Sequence, residues 1–318
     1  MTIVRSDRLP PVPAGIDRPR ISIEHLARGT WTVYRRHLGA ILAGSGIVAI
    51  PVYLAQVALG VRLVERLTDL LLEADTAGAF VAALGDDAVA LAVGIGGLFL
   101  VPFLAWPVLV GTITVIAVET WGMGPVALSS ALARGLAAYP ALLAGSVLTA
   151  LPALAAAGAV LGLSALVLGT VATVGFLVVP AYVAGLGLVL VAVTYLGVRM
   201  AVVGPAIVID ALGPIDALRR SWWLTTGNLW RVLGAIVLVS VAVAIAQRFA
   251  EGVVDAALGS LPLDPTVPAL VLYALPAVAF PAFGPILGAL LLLGLEGAPT
   301  LLAVDGAEPP GEAGPYVG

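Results

Sequence analysis

The chain has 318 residues, of which 61% are hydrophobic and 11% charged, with a mean hydropathy of +1.11. Soluble domains carry about 25% charged residues, so the composition excludes a water-soluble globular protein and identifies an integral membrane protein. A formal net charge of −4 gives no reason to expect nucleic-acid binding, and the absence of cysteine excludes disulfides and thiolate metal centres.

All fifteen basic residues are arginine, and the two histidines, His25 and His37, precede the first apolar run. Residues 1–24 read as a flexible cytoplasmic arm, too polar and too proline-rich for a cleaved signal peptide. From Ser22 to His37 a short helical stretch is expected, with Leu26, Trp31 and Tyr34 interleaved with Arg28, Arg35 and Arg36. The first span, 38–59, matches the roughly 20 residues that a bilayer core requires. Between Val61 and Asp87 the chain turns acidic, and Leu63, Leu67, Leu70 and Leu71 give the first half an amphipathic helical pattern.

The second span, 88–118, is long enough to tilt or kink around Pro102 and Pro107. A short polar connection from Glu119 to Arg134 follows. The apolar stretch 136–209 then contains one charge, Arg199, and accommodates two generous spans or three tight ones. Two are expected, 137–165 and 173–204, because three would set Arg134 and the Arg219/Arg220 pair on opposite sides of the membrane. The fifth span, 229–246, leads to a second acidic loop from Arg248 to Asp264. The last span, 267–295, contains Pro276, Pro281 and Pro285, which must bend it or break it into halves. Residues 296–318 read as an acidic, disordered cytoplasmic tail. The expected fold is therefore an all-α polytopic bundle of about six transmembrane helices over 25–295, with amphipathic cytoplasmic helices at the interface.

The most polar segment between apolar blocks is Pro214–Arg231. Pro214 suits a first helical turn, and Asp216 sits near the positive end of the helix dipole. Ile215, Leu218, Trp222 and Thr225 recur at three- and four-residue spacing and share one face. Arg219 and Arg220 lie mostly off it, and Gly227-Asn228 ends the helix. Trp222, Trp223 and Trp230 favour headgroup depth. This pattern describes an amphipathic helix lying on a membrane surface and leading into a span. Counting arginines by side supports cytoplasmic termini: twelve fall inside and three (Arg62, Arg66 and Arg248) outside. A weak internal repeat points the same way. Leu26-Ala27-Arg28-Gly29 recurs as Leu132-Ala133-Arg134-Gly135, and more loosely as Leu218-Arg219-Arg220-Ser221. The chain thus reads as three units, each a surface helix followed by two spans.

The run Gly204-Pro205-Ala206-Ile207-Val208-Ile209-Asp210, the segment Pro214 to Trp222, and Thr225-Thr226-Gly227-Asn228-Leu229-Trp230-Arg231 together resemble a known pattern. It is similar to the membrane domain associated with glycerophosphoryl diester phosphodiesterases and to related six-span proteins of bacteria and archaea. The motif-bearing match covers about 30 residues, and the span pattern extends it loosely over 25–295. The resemblance implies an architecture. It does not carry over the phosphodiesterase activity, because no acidic metal cluster or barrel-sized region is present.

Charges in or at spans are candidate sites. Glu119, Arg199 and Asp210 form a possible polar site in the bundle, with Glu119 able to pair with Arg134 or Arg199. Arg199 suits phosphate geometry. The lipid-facing candidates are Arg219, Arg220, Trp222, Trp223, Trp230 and Arg231. Glycine spacings at Gly158/Gly162 and at Gly94, Gly96 and Gly97 permit close helix packing. No metal site or cofactor is expected, and the reading favours a non-enzyme. The expected function is membrane organisation or lipid interaction at the cell membrane, with lipids as partners and a protein partner or homo-oligomer as a further possibility. The alternatives are a permease-like accessory subunit and a lipid-modifying intramembrane enzyme, the latter needing Glu119 and Asp210 to meet.

Overall fold

The computed structural model describes residues 23–73, 76–121, 127–259 and 266–295. The expected acidic tail and nearly all of the N-terminal arm lie outside the described residues. The described chain runs α1 (Ile23–Arg36), α2 (Leu38–Glu73), α3 (Ala77–Asp86), α4 (Ala88–Trp121), α5 (Leu128–Ala137), α6 (Tyr139–Arg199) and α7 (Val203–Ile209), then α8 (Pro214–Thr225), α9 (Leu229–Gly259), α10 (Thr266–Ala279) and α11 (Phe283–Leu295). No strand occurs among these residues. Five helical stretches are long and apolar enough to cross a membrane, and the number is six if α5 with the start of α6, bent by 58°, counts as one span. In hydrocarbon every backbone polar group needs an internal partner, which a helix supplies. The chain is a helical membrane protein.

Two helices outrun their expected spans. The amphipathic stretch after residue 59 is continuous with α2, and most of the expected loop after Arg248 belongs to α9. Charge alone does not stop a helix; Arg248 pairs with Glu251 three residues on, within one turn. Each is tied at its far end to a neighbouring helix. Arg66 forks onto Asp87 at the start of α4, its Nη2 donating to Asp87 Oδ1 at 2.8 Å, and Tyr273 of α10 donates to Asp255 of α9.

The connection expected around 166–172 is not a break in secondary structure, because α6 carries 61 helical residues through it. A straight helix of that length spans about 90 Å. Yet Gly145 near its start lies against Ile207 and Val203, just past its end. Pro152 and Val193 also line one cavity. The polypeptide therefore reverses within the helical stretch, so α6 contributes two antiparallel arms. The stretch 166–172 contains one glycine and no proline, asparagine or charge that would interrupt the hydrogen-bond ladder.

The last span is broken, as its prolines require. α10 ends at Ala279, a 3-10 turn covers Phe280–Ala282, and α11 resumes at Phe283. Tyr34 of α1 reaches this break, its hydroxyl donating to the Ala279 carbonyl at 3.1 Å while its ring stacks on Phe283 at 4.2 Å. An interrupted helix survives in a bilayer where neighbouring groups satisfy its freed backbone.

The three short helices pack in a cyclic order. α5 docks on α4, the second span of the preceding unit, and α8 docks on the end of α6 and on α7. α1 closes the circle on α11, with α9 beside it. The last-formed parts of the three units, α4, α7 and α11, pack on one another at the centre. The core accordingly lies at this end of the bundle: Leu26, Ile41, Ile113, Ile116, Val202, Val232, Ile286 and Leu290 are fully buried. The weak repeat has a structural counterpart. Its fourth residue, Gly29, Gly135 or Ser221, is buried in all three helices.

Small residues set the closest approaches. A Cβ on Gly111 would meet the Gly135 Cα at 2.9 Å, and one on Gly288 would meet the Ala201 carbonyl at 3.3 Å. The glycines expected to serve this purpose do so less: Gly96, Gly158 and Gly162 have nothing within 4 Å, while Gly94 and Gly97 meet only leucine side chains.

Candidate functional site at the basic end of the bundle

The end that gathers α1, α5, α7 and α8 is basic. Among the described residues it carries eight arginines (28, 35, 36, 134, 199, 219, 220 and 231) against four carboxylates, whereas the far end has three arginines against seven. His37 belongs to the basic end, and burial, followed by the neighbouring Arg36, lowers its pKa below the usual imidazole value.

Glu119, in the last turn of α4, forms an ion pair with Arg134 of α5. The glycine contact between Gly111 and Gly135 brings these two helices close enough for that pair. Arg199 has a different environment. It ends α6, and its guanidinium reaches α8: Nη1 donates to Thr226 Oγ1 at 2.9 Å, to the Trp222 carbonyl at 3.3 Å and to Thr225 Oγ1 at 3.4 Å. Its Nε donates to the Tyr195 hydroxyl at 3.1 Å. The cation also lies over the Tyr195 ring at 5.2 Å and the Trp222 ring at 4.8 Å. Ser221 locks the same junction by donating to the Arg199 carbonyl at 2.6 Å.

The three polar residues expected to form a bundle site are therefore dispersed. Glu119 is taken by Arg134, and every partner of Arg199 lies on α6 or α8. Asp210 is exposed at the C-terminal cap of α7, ahead of Ala211, which adopts a left-handed φ of 51°.

The stripe expected on α8 is divided. Ala217, Ser221, Leu224 and Thr225 form the buried face. Ile215, Trp222 and Trp223 remain 59%, 44% and 44% exposed. Small residues face inward because α8 must approach the α6 backbone within hydrogen-bond reach at Ser221. Ile215 and the two tryptophans are left on the outer side. Arg219 pairs loosely with Asp216 at 3.7 Å, and Arg220 lies over the Trp223 ring at 5.7 Å. Trp230, at the start of α9, is 79% exposed, and Arg231 reaches Asn228 Oδ1 at 3.4 Å. Gly227 terminates the helix as expected, with φ at 85°, a conformation that glycine adopts without cost.

Deeper in the bundle, a cavity of about 580 Å³ opens between α4, both arms of α6, α7, α9 and α11. Its lining side chains are apolar apart from Ser146, Thr149, Ser240 and the Trp106 indole, and it includes both helix interruptions, at Met200–Ala201 and Phe280–Pro281. Sequence patterns signalled Arg199 and the tryptophans. Tyr195 and the cavity hydroxyls carry no comparable signal, and Thr225 and Thr226, though part of the α8 pattern, gain their role only when α6 and α8 meet.

No family model, curated protein or solved structure matches this chain.

Proposed function

We propose that this is a non-catalytic, lipid-interacting protein of the cell membrane, of the six-span kind that its 204–231 segment resembles, with its basic end and both termini in the cytoplasm. One observation carries the reading. The outer face of α8 leaves Ile215, Trp222 and Trp223 partly exposed, with Arg219 and Arg220 beside them, at the arginine-rich end of an apolar bundle. Aromatic side chains of this kind settle at headgroup depth, and each arginine near an anionic surface contributes about 1 kcal/mol. The arginine excess supports the cytoplasmic orientation.

The test uses the full chain in mixed bilayers of phosphatidylglycerol and phosphatidylcholine, with one lipid at a time brominated to quench tryptophan. Preferential quenching by the brominated phosphatidylglycerol is expected, and it should weaken in the Arg219→Gln/Arg220→Gln variant. Equal quenching by both lipids in the unmodified protein refutes the reading.

The cavity favours a second reading, a permease-like accessory subunit. Interrupted helices around a mid-bundle cavity are a transporter arrangement, and three hydroxyls line this one. Its otherwise apolar walls suit an apolar or amphiphilic cargo better than an ion.

A further inference from the structure

Building on the lipid-interacting reading, we infer that Arg199 is the centre of a preformed site for one phosphate group, distinct from the diffuse attraction of the α8 outer face. Arg28, Arg66, Arg134, Arg219 and Arg248 each form an ion pair with a carboxylate. Arg199 forms none among the described residues, as is also true of Arg35, Arg36, Arg62 and Arg231, but four hydrogen bonds to neutral groups fix its position. The two threonines are oriented for this. Thr226 Oγ1 donates to the Trp222 carbonyl at 2.8 Å, and Thr225 Oγ1 donates to the Ser221 carbonyl at 2.9 Å. Their hydrogens being spent on α8, their lone pairs face the guanidinium.

Nε and Nη1 are thus anchored, while Nη2 makes no hydrogen bond among the described residues. Its donors belong to a full positive charge that neutral acceptors offset only in part. The Tyr195 and Trp222 rings meet edge to face at 6.1 Å and hold the cation at an exposed rim. A guanidinium whose conformational freedom is already lost binds an anion without that entropic cost. Phosphate oxygens match its geometry and charge. A helix C-terminus alone attracts an arginine, but that attraction explains neither the carboxylate-free cage nor the unspent Nη2. The occupant is a phosphate ester, either a lipid headgroup or a soluble phosphate.

The purified full chain is titrated with phosphatidylglycerol and examined by native mass spectrometry at high salt, where diffuse attraction is screened. One lipid per chain should remain bound in the unmodified protein and in the Arg219→Gln/Arg220→Gln variant. Arg199→Gln should weaken retention about tenfold. Arg199→Lys keeps the charge, and should weaken it comparably because an ammonium cannot hold the α8 anchors while presenting the same donors. Tyr195→Phe, which frees Nε, should weaken retention less. If Arg199→Gln proves unfolded, the lysine and phenylalanine variants decide. Retention unchanged in both, or absent from the unmodified protein, overturns the site. Loss in the Arg219/Arg220 variant with Arg199→Gln unaffected also overturns it, while leaving the α8 docking reading standing. Inorganic phosphate, titrated alone and as a competitor, separates the sources. Arg199-dependent binding of inorganic phosphate that displaces the lipid identifies a soluble phosphate, and its failure to compete identifies the headgroup.

Discussion

Gly135→Ala is the most informative single change to the bundle. Its Cβ would sit 2.8 Å from the Thr112 backbone nitrogen, 2.9 Å from Thr112 Oγ1 and 3.1 Å from the Gly111 carbonyl carbon. Two of those three atoms are backbone, so no rotamer change relieves the overlap and α4 and α5 must move apart. Overpacking of this kind costs about 1–3 kcal/mol, against about 0.5–1 kcal/mol gained from alanine's better helix propensity. A net loss of about 1–2 kcal/mol follows. Gly187→Ala is the control, because nothing lies within 4 Å of its added Cβ. There the propensity gain of about 0.5–1 kcal/mol stands alone. Gly234→Ala meets only the tip of Ile23, a side chain that can swing away, and should be close to neutral. Thermal unfolding of the purified variants in one detergent, followed by near-UV circular dichroism, ranks them. The expected order is Gly187→Ala above the unmodified protein, Gly234→Ala beside it and Gly135→Ala below. A Gly135→Ala protein as stable as the Gly187→Ala protein would refute the α4–α5 crossing.

Tyr34→Phe keeps the stack on Phe283 but removes the hydroxyl from the Ala279 carbonyl; a loss of about 1 kcal/mol is expected in the same unfolding assay, and no loss would show that the broken span needs no help from α1. The His37 imidazole should titrate below about 6.5 by NMR, and Arg36→Gln should recover only the smaller part of the depression, since burial is the larger cause. Because the folded state resists protonating His37, its contribution to stability is present above the unfolded value and declines as pH falls through it. The cysteine-free sequence permits clean labelling: in vesicles, Ser146→Cys and Ser240→Cys should resist a membrane-impermeant maleimide from either side, and prompt labelling would favour an aqueous path through the cavity.

Hydropathy made the spans legible, the arginine and tryptophan pattern located α1 and α8, and only the weak repeat pointed to α5, in a stretch that reads as a polar connection. The helix ends were harder to read because acidic residues after residue 59 look like a loop. A helix tolerates them when i, i+3 and i, i+4 partners are available. On α8 the period was right, but the largest apolar side chains drew attention while Ala217 and Ser221 make the contact. The glycine contacts were illegible for a related reason. Gly135 and Gly158 look alike in sequence, and only the neighbour that tertiary packing brings against each one separates them. Arg199 was recognisable as a lone charge in an apolar run, but its cage comes from residues 23 to 27 positions later on another helix.

The cyclic packing has a consequence for biosynthesis. Among the described helices α1 leaves the ribosome before all the others, yet its main docking surface, α11, leaves after them. Until α11 arrives, Tyr34 lacks the Phe283 ring on which it stacks, and the described bundle closes only with that span. A chain released before residue 283 would therefore present an open α1, ready to invade the α11 face of a finished neighbour.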